Sequence, residues 1–565
     1  MSSTAAPAGK GAGFKASAAD FLRAVPLFSG VSDAVLAEIA DRSRIAHLQA
    51  GEVLFREGDP ADELYVLQSG RLEVFTDGFE EEPLRVLLRG AVVGELALLT
   101  ESPRSASVRA RRDSTLLELS RASFDALLSE HDFVRGLLRV LGSELRESRA
   151  LTQPVGMPVT IAVLPLDPDV PLEHFYDELA AGLGRWRRVA CLGLVEDASI
   201  RCETVDRCEN DHDHVLLKGS LDVNDSWNGF CIRQADRIFC LTTDGQAPDR
   251  LSRGPELRGC DLVFCPRGLG RFVAAGLLRA ISPRAIHVAR RGASFDSCVE
   301  SISRRLAGRS VGLVLSGGGA RGLAHVGVLA ELVSEGIQID RIGGCSMGAF
   351  IGAMFATGRD PESIRLACEA ELVRRNPLGD YTIPVRSLVR GRRGLEMVER
   401  VFGSARIEEL DRELFTVSCD LVSGDLVVHR RGLVADAVAA SMSLPGVLPP
   451  VPRDGRLLVD GGVLNNLPVQ EMAATGEGPV IAVDVTAQFG DPSGAGEHPR
   501  LKEVLVRAIS LGGVDAVNAA RSAADLLITP DVGDVGMLDF RQHDRVIEAG
   551  RRAAREAIEE RGLPI

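Results

Sequence analysis

Two spacings of apolar residues divide the chain. Between residues 20 and 150 the apolar runs are short and closely spaced, with Gly, Asp and Pro between them: Glu52–Phe55, Leu64–Gln68, Leu72–Phe75, Arg85–Leu88, Ser107–Arg109 and Thr115–Leu119. That pattern predicts a small all-β barrel. A helical stretch, Phe21–Arg44, precedes it, kinked at Val25-Pro26-Leu27-Phe28, and Ser123–Leu128 and Phe133–Arg149 are expected to close it with helices. From residue 157 onward short apolar runs alternate with helical ones, which predicts α/β architecture. Val159–Leu164, Val189–Leu192, Arg237–Leu241, Asp261–Phe264 and Ala285–Val288 read as strands of a module over 157–307. Over 308–565 the strands are Val311–Leu315, the run from Ile342, Phe415–Asp420, Leu457–Val459 and Val480–Val485, and Asp544–Arg561 reads as an amphipathic helix covering the sheet. Residues 1–19 are small and polar and read as a disordered tail, and 151–156 as a linker.

The chemistry concentrates in Val311–Phe350. A buried strand leads into Gly317, Gly318, Gly319 and Gly322, which let the backbone turn tightly and expose N–H groups at a helix start, a site for negative charge. A second strand ends in Gly344-Cys345-Ser346-Met347-Gly348, a G-x-S-x-G. Such a serine sits on a strained strand-to-helix turn with its oxygen pushed out, and the flanking glycines leave room for it. A nucleophile beside an anion-stabilising loop is the equipment of acyl transfer. Further on, Asp460 follows a short apolar strand and precedes Gly461 and Gly462, so its carboxylate can point into a cleft at a strand end. The glycine loop also fits a dinucleotide fingerprint, with Asp340 near the spacing of a ribose-binding acid. That alternative makes the chain an oxidoreductase and leaves the serine elbow unexplained.

Inside the barrel, Gly94-Glu95-Leu96-Ala97 opens a short helix and Arg104-Ser105 follows. Helix N–H groups and a guanidinium suit a phosphate, and a carboxylate suits a ribose hydroxyl. Cys202, Cys208, His212 and His214 lie close together, but their spacing fits no common zinc finger and the acids around them suggest an exposed loop, so no metal is expected. His325 is expected to pack or bond locally, and His429 follows the strand-like run Asp425–Val428. Tyr381–Arg393 mixes apolar residues with Arg386, Arg390, Arg392 and Arg393, a strip that reads as a solvated face or a contact for lipid phosphate.

These segments resemble known families. Ser316–Gly322, the Gly344–Gly348 elbow, Ala440–Pro450 and Leu458-Val459-Asp460-Gly461-Gly462-Val463-Leu464-Asn465-Asn466-Leu467-Pro468 resemble the patatin-like phospholipases, and more closely the neuropathy target esterase branch. The resemblance implies a Ser–Asp dyad without histidine: Ser346 the nucleophile, Asp460 the base, Gly317–Gly319 the oxyanion hole, with Arg321, Gly322, Gly344, Gly348, Gly461 and Gly462 supporting. It implies phospholipid or lysophospholipid substrates and no cofactor. Tyr65–Leu72 and Gly94–Val108 resemble the cyclic nucleotide-binding domains. That likeness implies cAMP or cGMP as ligand, with Glu95 on the 2′-hydroxyl, Arg104 on the cyclic phosphate and Ser105 nearby. The expected organisation is therefore a tail at 1–19, a nucleotide-binding barrel at 20–150, an α/β spacer at 157–307 and a patatin-like domain at 308–565. An inert hydrolase domain serving a nucleotide-sensing scaffold is the remaining alternative.

Composition narrows the setting. At 565 residues the chain exceeds one ordinary core. A net charge of −14 argues against bulk nucleic-acid binding. Eleven scattered cysteines argue for reduced thiols and a cytoplasmic setting. Met1–Asp20 has no apolar core of a signal peptide, and no run is long and apolar enough to span a bilayer, so membrane contact is expected to be peripheral.

Overall fold

The structure, a computed structural model, describes residues 18–23, 25–28, 30–75, 85–87, 89–128, 130, 133–134, 137, 160–221, 226–245, 257–267, 273–290, 292–383, 387–486 and 513–564. The expectations for residues 1–17, for the linker at 151–156 and for nearly all of 133–149 lie outside these. The chain divides into two compact units: Met1–Gln153 with Pro158–Pro165 and Arg187–Phe239, and Pro154–Met157 with Leu166–Trp186 and Cys240–Ile565.

The first unit holds the barrel. Helix α1 (Asp33–Arg42) leads straight into β1 (Arg44–Leu48), so the helix expected over Phe21–Arg44 is broken: residues 18–23 are helical, Pro26–Phe28 is a 3-10 turn, and α1 ends at Arg42. β2 (Val53–Phe55), β3 (Glu63–Phe75), β4 (Arg85–Leu87), β5 (Val92–Val93) and β6 (Ser107–Ser120) follow, with the helix α2 (Glu95–Thr100) between β5 and β6. The sheet runs β1-β6-β3-β4, with β2 on β6 and β5 on β3. Where the sequence suggests two short strands on either side of Gly70, the structure has one continuous β3. The register shifts between Leu67 and Arg71, so the glycine marks a bulge and not an end.

The same unit carries β7 (Thr160–Pro165), β8 (Val189–Leu192) and β9 (His214–Lys218), paired in parallel in the order β8-β9-β7, and the start of β10 (Arg237–Thr242). β9 is not among the predicted strands. The segment expected as an exposed loop is instead helix α3 (Arg201–Asp211), bearing Cys202 and Cys208, followed by the buried start of β9 at His214. A buried charge cluster binds barrel to module. Arg112 donates to both oxygens of Glu209 at 2.8 and 2.7 Å, and Arg71 pairs with Asp236.

The second unit pairs β11 (Asp261–Phe264) with β12 (Ala285–Val288) and contains an eight-stranded sheet. Its strands are β13 (Val311–Leu315), β14 (Ile339–Cys345), β15 (Glu413–Asp420), β16 (Leu426–His429), β17 (Val451–Arg453), β18 (Arg456–Asp460), β19 (Val480–Val483) and β20 (Leu526–Ile528). The order is β17-β18-β15-β14-β13-β19-β20, with β16 on β15. β15, β14, β13, β19 and β20 run parallel, and the fully buried runs VGLVL and VIAV are what a sheet covered on both faces requires. Helices α4 (Ala324–Ser334), α5 (Met347–Ala356), α6 (Val434–Ser441) and α7 (His543–Arg561) pack around it. α7 lies along α4 so closely that a Cβ on Gly327 would stand 1.8 Å from the Ile547 carbonyl, and one on Gly550 2.0 Å from that of Ala324.

Candidate active site

β13 and β14 are neighbours in parallel register, Leu315 opposite Gly344. The glycine loop and the serine elbow therefore leave the sheet side by side at the same end. On the far side of β14, β15 sets Val417 opposite Cys345, and the antiparallel β18 sets Asp460 opposite Ser418. Ser346 and Asp460 thus reach the same level of the sheet across a single strand.

Ser346 has φ +54° and ψ −120°, a conformation rare for a residue with a side chain. The strain is held by surroundings that leave no alternative. The Ser346 N–H donates to the buried Ser441 Oγ at 2.9 Å. A Cβ on Gly348 would meet the Leu315 carbonyl at 2.2 Å, so only glycine lets helix α5 start this close to β13. Gly317 lies on the nucleophile itself, the place of its missing Cβ being 2.9 Å from Ser346 Cβ.

Asp460 is 4% exposed. Burial raises its pKa, while hydrogen bonds from the Ser346 hydroxyl, the Gly462 N–H and the Cys345 thiol pull it down, and burial prevails. The Gly462 bond is 2.8 Å and the Cys345 contact 3.5 Å. A desolvated carboxylate bonded to a serine hydroxyl is a stronger base than an ordinary aspartate.

In the loop, Gly319 has φ +57°, and a Cβ there would stand 2.1 Å from the Met537 carbonyl. The Gly317 N–H donates to the Asn466 carbonyl at 3.3 Å, and Ala320 N–H donates to Met537 O at 2.7 Å. Among the described residues no acceptor meets the N–H of Gly318 or Gly319. Arg321 donates to the carbonyls of Val535 and Gly533 at 2.7 and 3.3 Å, which fastens the loop. Gly322 lies against Met347, and Gly344 against the backbone of Gly348 and Ala349. Gly461 packs on the Val417 carbonyl and Gly462 beside Asn466.

The histidines are occupied elsewhere. His325 Nε2 bonds the Ser316 carbonyl at 2.8 Å, and burial lowers its pKa to about 4. His429 Nε2 meets Ser418 Oγ at 2.7 Å, its pKa lowered to about 4 by burial and then by Arg453 and Arg456. Asp340 stands near the start of β14, at the end of the sheet away from the glycine loop, and pairs with Arg304 at 2.7 Å. That placement removes the ribose-binding acid from the dinucleotide alternative. Of the basic strip, Arg386 lies outside the described residues, and Arg392 pairs with Glu396 at 2.8 Å.

In the barrel, Gly94 at φ +90° turns the chain into α2, and Glu95 and Arg104 are 6% and 4% exposed. Arg104 donates to the carbonyls of Gly94 and Glu63 at 3.2 and 2.8 Å and lies 4.2 Å from the Phe55 ring centroid. Its Nε has no acceptor among the described residues. Ser105 is exposed.

Two residues matter here that the sequence quotes only as parts of motifs: Ser441, which holds the elbow, and Asn466, which holds the loop. Each is a small polar residue whose partner lies far along the chain, and local pattern carries no signal of that.

The model of the patatin-like phospholipase family matches residues 313–473, and that of the cyclic nucleotide-binding domain residues 45–131. An uncharacterized NTE family protein of Mycobacterium tuberculosis is 35% identical, covering 95% of this chain and 96% of its own length. Lysophospholipase NTE1 of Coccidioides immitis is 27% identical over 92% of this chain, and human patatin-like phospholipase domain-containing protein 6 is 29% identical over 78% of it. This chain spans 41% and 37% of those two longer proteins. Among solved structures, the regulatory domain of Toxoplasma gondii PKA with cAMP is 27% identical over 23% of this chain and 51% of its own, with a TM-score of 0.21. With one relative matched along nearly the whole of both chains, and a patatin-like domain following a cyclic nucleotide-binding domain, this chain belongs to the NTE family.

Proposed function

We propose that the chain is a serine carboxylic ester hydrolase of phospholipase or lysophospholipase type, removing acyl groups from glycerophospholipids. The Ser346 hydroxyl attacks the acyl carbonyl and passes its proton to Asp460. The N–H groups of Gly318 and Gly319, which meet no acceptor among the described residues, receive the oxyanion, while the Gly317 N–H, expected to share that part, is taken by the Asn466 carbonyl. Collapse expels the lipid alcohol, which takes the proton from Asp460. Asp460 then deprotonates a water that attacks the acyl-enzyme, and collapse breaks the bond to Ser346 Oγ, which takes that proton back from Asp460 as the fatty acid leaves. The observation that carries this reading is the convergence of the strained Ser346 and the buried Asp460 at one level of the sheet, across the single strand β15, with Cys345 next to the serine in contact with the Asp460 carboxylate. Replacing Ser346 by Ala and Asp460 by Asn tests it with p-nitrophenyl esters and a fluorophosphonate probe. Each variant is expected to lose hydrolysis with its fold intact, and Ser346→Ala to lose labelling. Full activity in either refutes the dyad.

In this reading residues 20–150 act as a cyclic nucleotide sensor, 157–307 as a spacer and 308–565 as the hydrolase. The deeply buried Arg104, with its unpartnered Nε, favours an anionic ligand in the barrel. Lipid would be met at the periphery of a membrane from a cytoplasmic location. Among the described residues no helix is long and apolar enough to cross a bilayer. Tyr381 and Ile383, 74% and 81% exposed beside Arg390, Arg392 and Arg393, suit such contact. Calorimetry with cAMP and cGMP, beside ester turnover with and without them, separates a regulated enzyme from one whose barrel is only structural.

A further inference from the structure

The DGG segment does more than deliver Asp460. Asn466, six residues on, takes hold of the glycine loop from both sides of Gly317. Its side-chain amide donates to the Gly317 carbonyl at 3.0 Å, and its own carbonyl accepts the Gly317 N–H at 3.3 Å. The side chain fills a slot between two glycines. Its Oδ1 lies 2.5 Å from where a Cβ on Gly317 would stand, and 2.8 Å from that of Gly462.

The peptide gripped in this way is the one joining Gly317 to Gly318. In a trans peptide the C=O and N–H point in opposite directions. Turning the Gly317 carbonyl toward Asn466 therefore turns the Gly318 N–H away from it, on a loop that lies against Ser346. That N–H has no acceptor among the described residues. Glycines on both sides leave the peptide intrinsically free to rotate, so an external hold is what keeps it in one orientation.

We propose that Asn466 is a positioning residue for the oxyanion hole: its side-chain amide fixes the Gly317–Gly318 peptide so that the Gly318 N–H is presented to the oxyanion. This rests on the reading of Gly318 as an oxyanion donor. It assigns the asparagine a part in catalysis distinct from the delivery of the base.

The test is made on the full chain with Asn466→Leu, which keeps the branched shape and removes the donor. Asn466→Ala takes its place if the Leu variant does not fold. The expected result is a fall in kcat of roughly 100- to 1,000-fold, the cost of one oxyanion donor, with KM within about threefold. A long-chain trifluoromethyl ketone, which Ser346 converts to a hemiketal oxyanion, is expected to lose affinity by about the same factor. An unreactive ether lipid is expected to bind as before. The acid limb of the pH–rate profile stays where it is, because Asp460 is untouched. A raised KM with unchanged kcat, undiminished ketone affinity, or lowered thermal stability with full activity overturns the proposal. Wild-type protein that neither hydrolyses esters nor binds the ketone would instead defeat the esterase reading beneath it.

Discussion

At the scale of single residues the site turns on one carboxylate kept out of water. Burial favours the neutral acid, so Asp460 gains basicity at the expense of the folded state. The folded pKa is raised, so the proton is held more tightly in the folded state than in the unfolded one, and the cost grows as pH rises from the unfolded value, about 3.9, through the folded one. Asp460→Asn removes the charge and keeps an acceptor for Gly462. It is expected to be inactive, and in urea titrations at pH 8 at least as stable as wild type, with the advantage vanishing toward pH 3.5. A variant clearly less stable at pH 8 would show that the carboxylate is no burden. For the same reason the acid limb of kcat against pH should lie above the ordinary aspartate range. Gly319→Ala forces a side chain into φ +57° and onto the Met537 carbonyl. A loss of activity with a cost of at least about 3 kcal/mol in denaturant midpoint analysis is expected.

At the scale of elements, two close contacts decide how the hydrolase sheet is covered and held. Helices α4 and α7 meet through Gly327 and Gly550, and Arg555 on α7 bonds Glu331 on α4 at 2.8 Å. Gly550→Val would drive a branched side chain into the Ala324 carbonyl. It should destabilise the protein by several kcal/mol, visible as a large fall in Tm. Beneath the sheet, the buried Arg305 lies between Glu413 and Glu477, at 2.7 Å from each. Arg305→Ala removes the cation the two carboxylates share and leaves Glu413 to Arg430 at 3.4 Å and the buried Glu477 to Arg284 at 3.2 Å. A loss of about 3 kcal/mol in chemical denaturation is expected.

At the scale of the whole molecule, the described chain is organised as two units. The barrel and strands β7 to β9 share one unit, joined by the buried cluster of Arg71, Arg112, Glu209 and Asp236. Glu209→Ala takes the bidentate carboxylate from the buried Arg112 and leaves Arg71 with Asp236 alone. Differential scanning calorimetry of the variant is expected to show the barrel melting separately and earlier than in wild type. A single unchanged transition would mean the cluster couples nothing.

The sequence was most legible where chemistry is local. The glycine loop, the strained elbow and the Asp-Gly-Gly turn are each written in a few consecutive residues, because a positive φ or a close backbone approach admits almost nothing but glycine. The strands bordering them were legible for a related reason: VGLVL and VIAV are apolar throughout, and a run with no polar face must be buried on both sides. Where the pattern is shared between states, reading failed. Ser43 alone separates α1 from β1, Gly70 interrupts an alternating run without ending its strand, and His214 opens a buried strand behind an acidic helix. Tertiary structure alone decided who meets whom. Ser346 and Asp460 stand 114 positions apart in the sequence and face each other because β15 sets them at one level. Asn466 reaches Gly317, and Ser441 reaches Ser346, through the same folding of distant segments, and the burial that raises the pKa of Asp460 is a property of the assembled core that no short stretch of sequence contains.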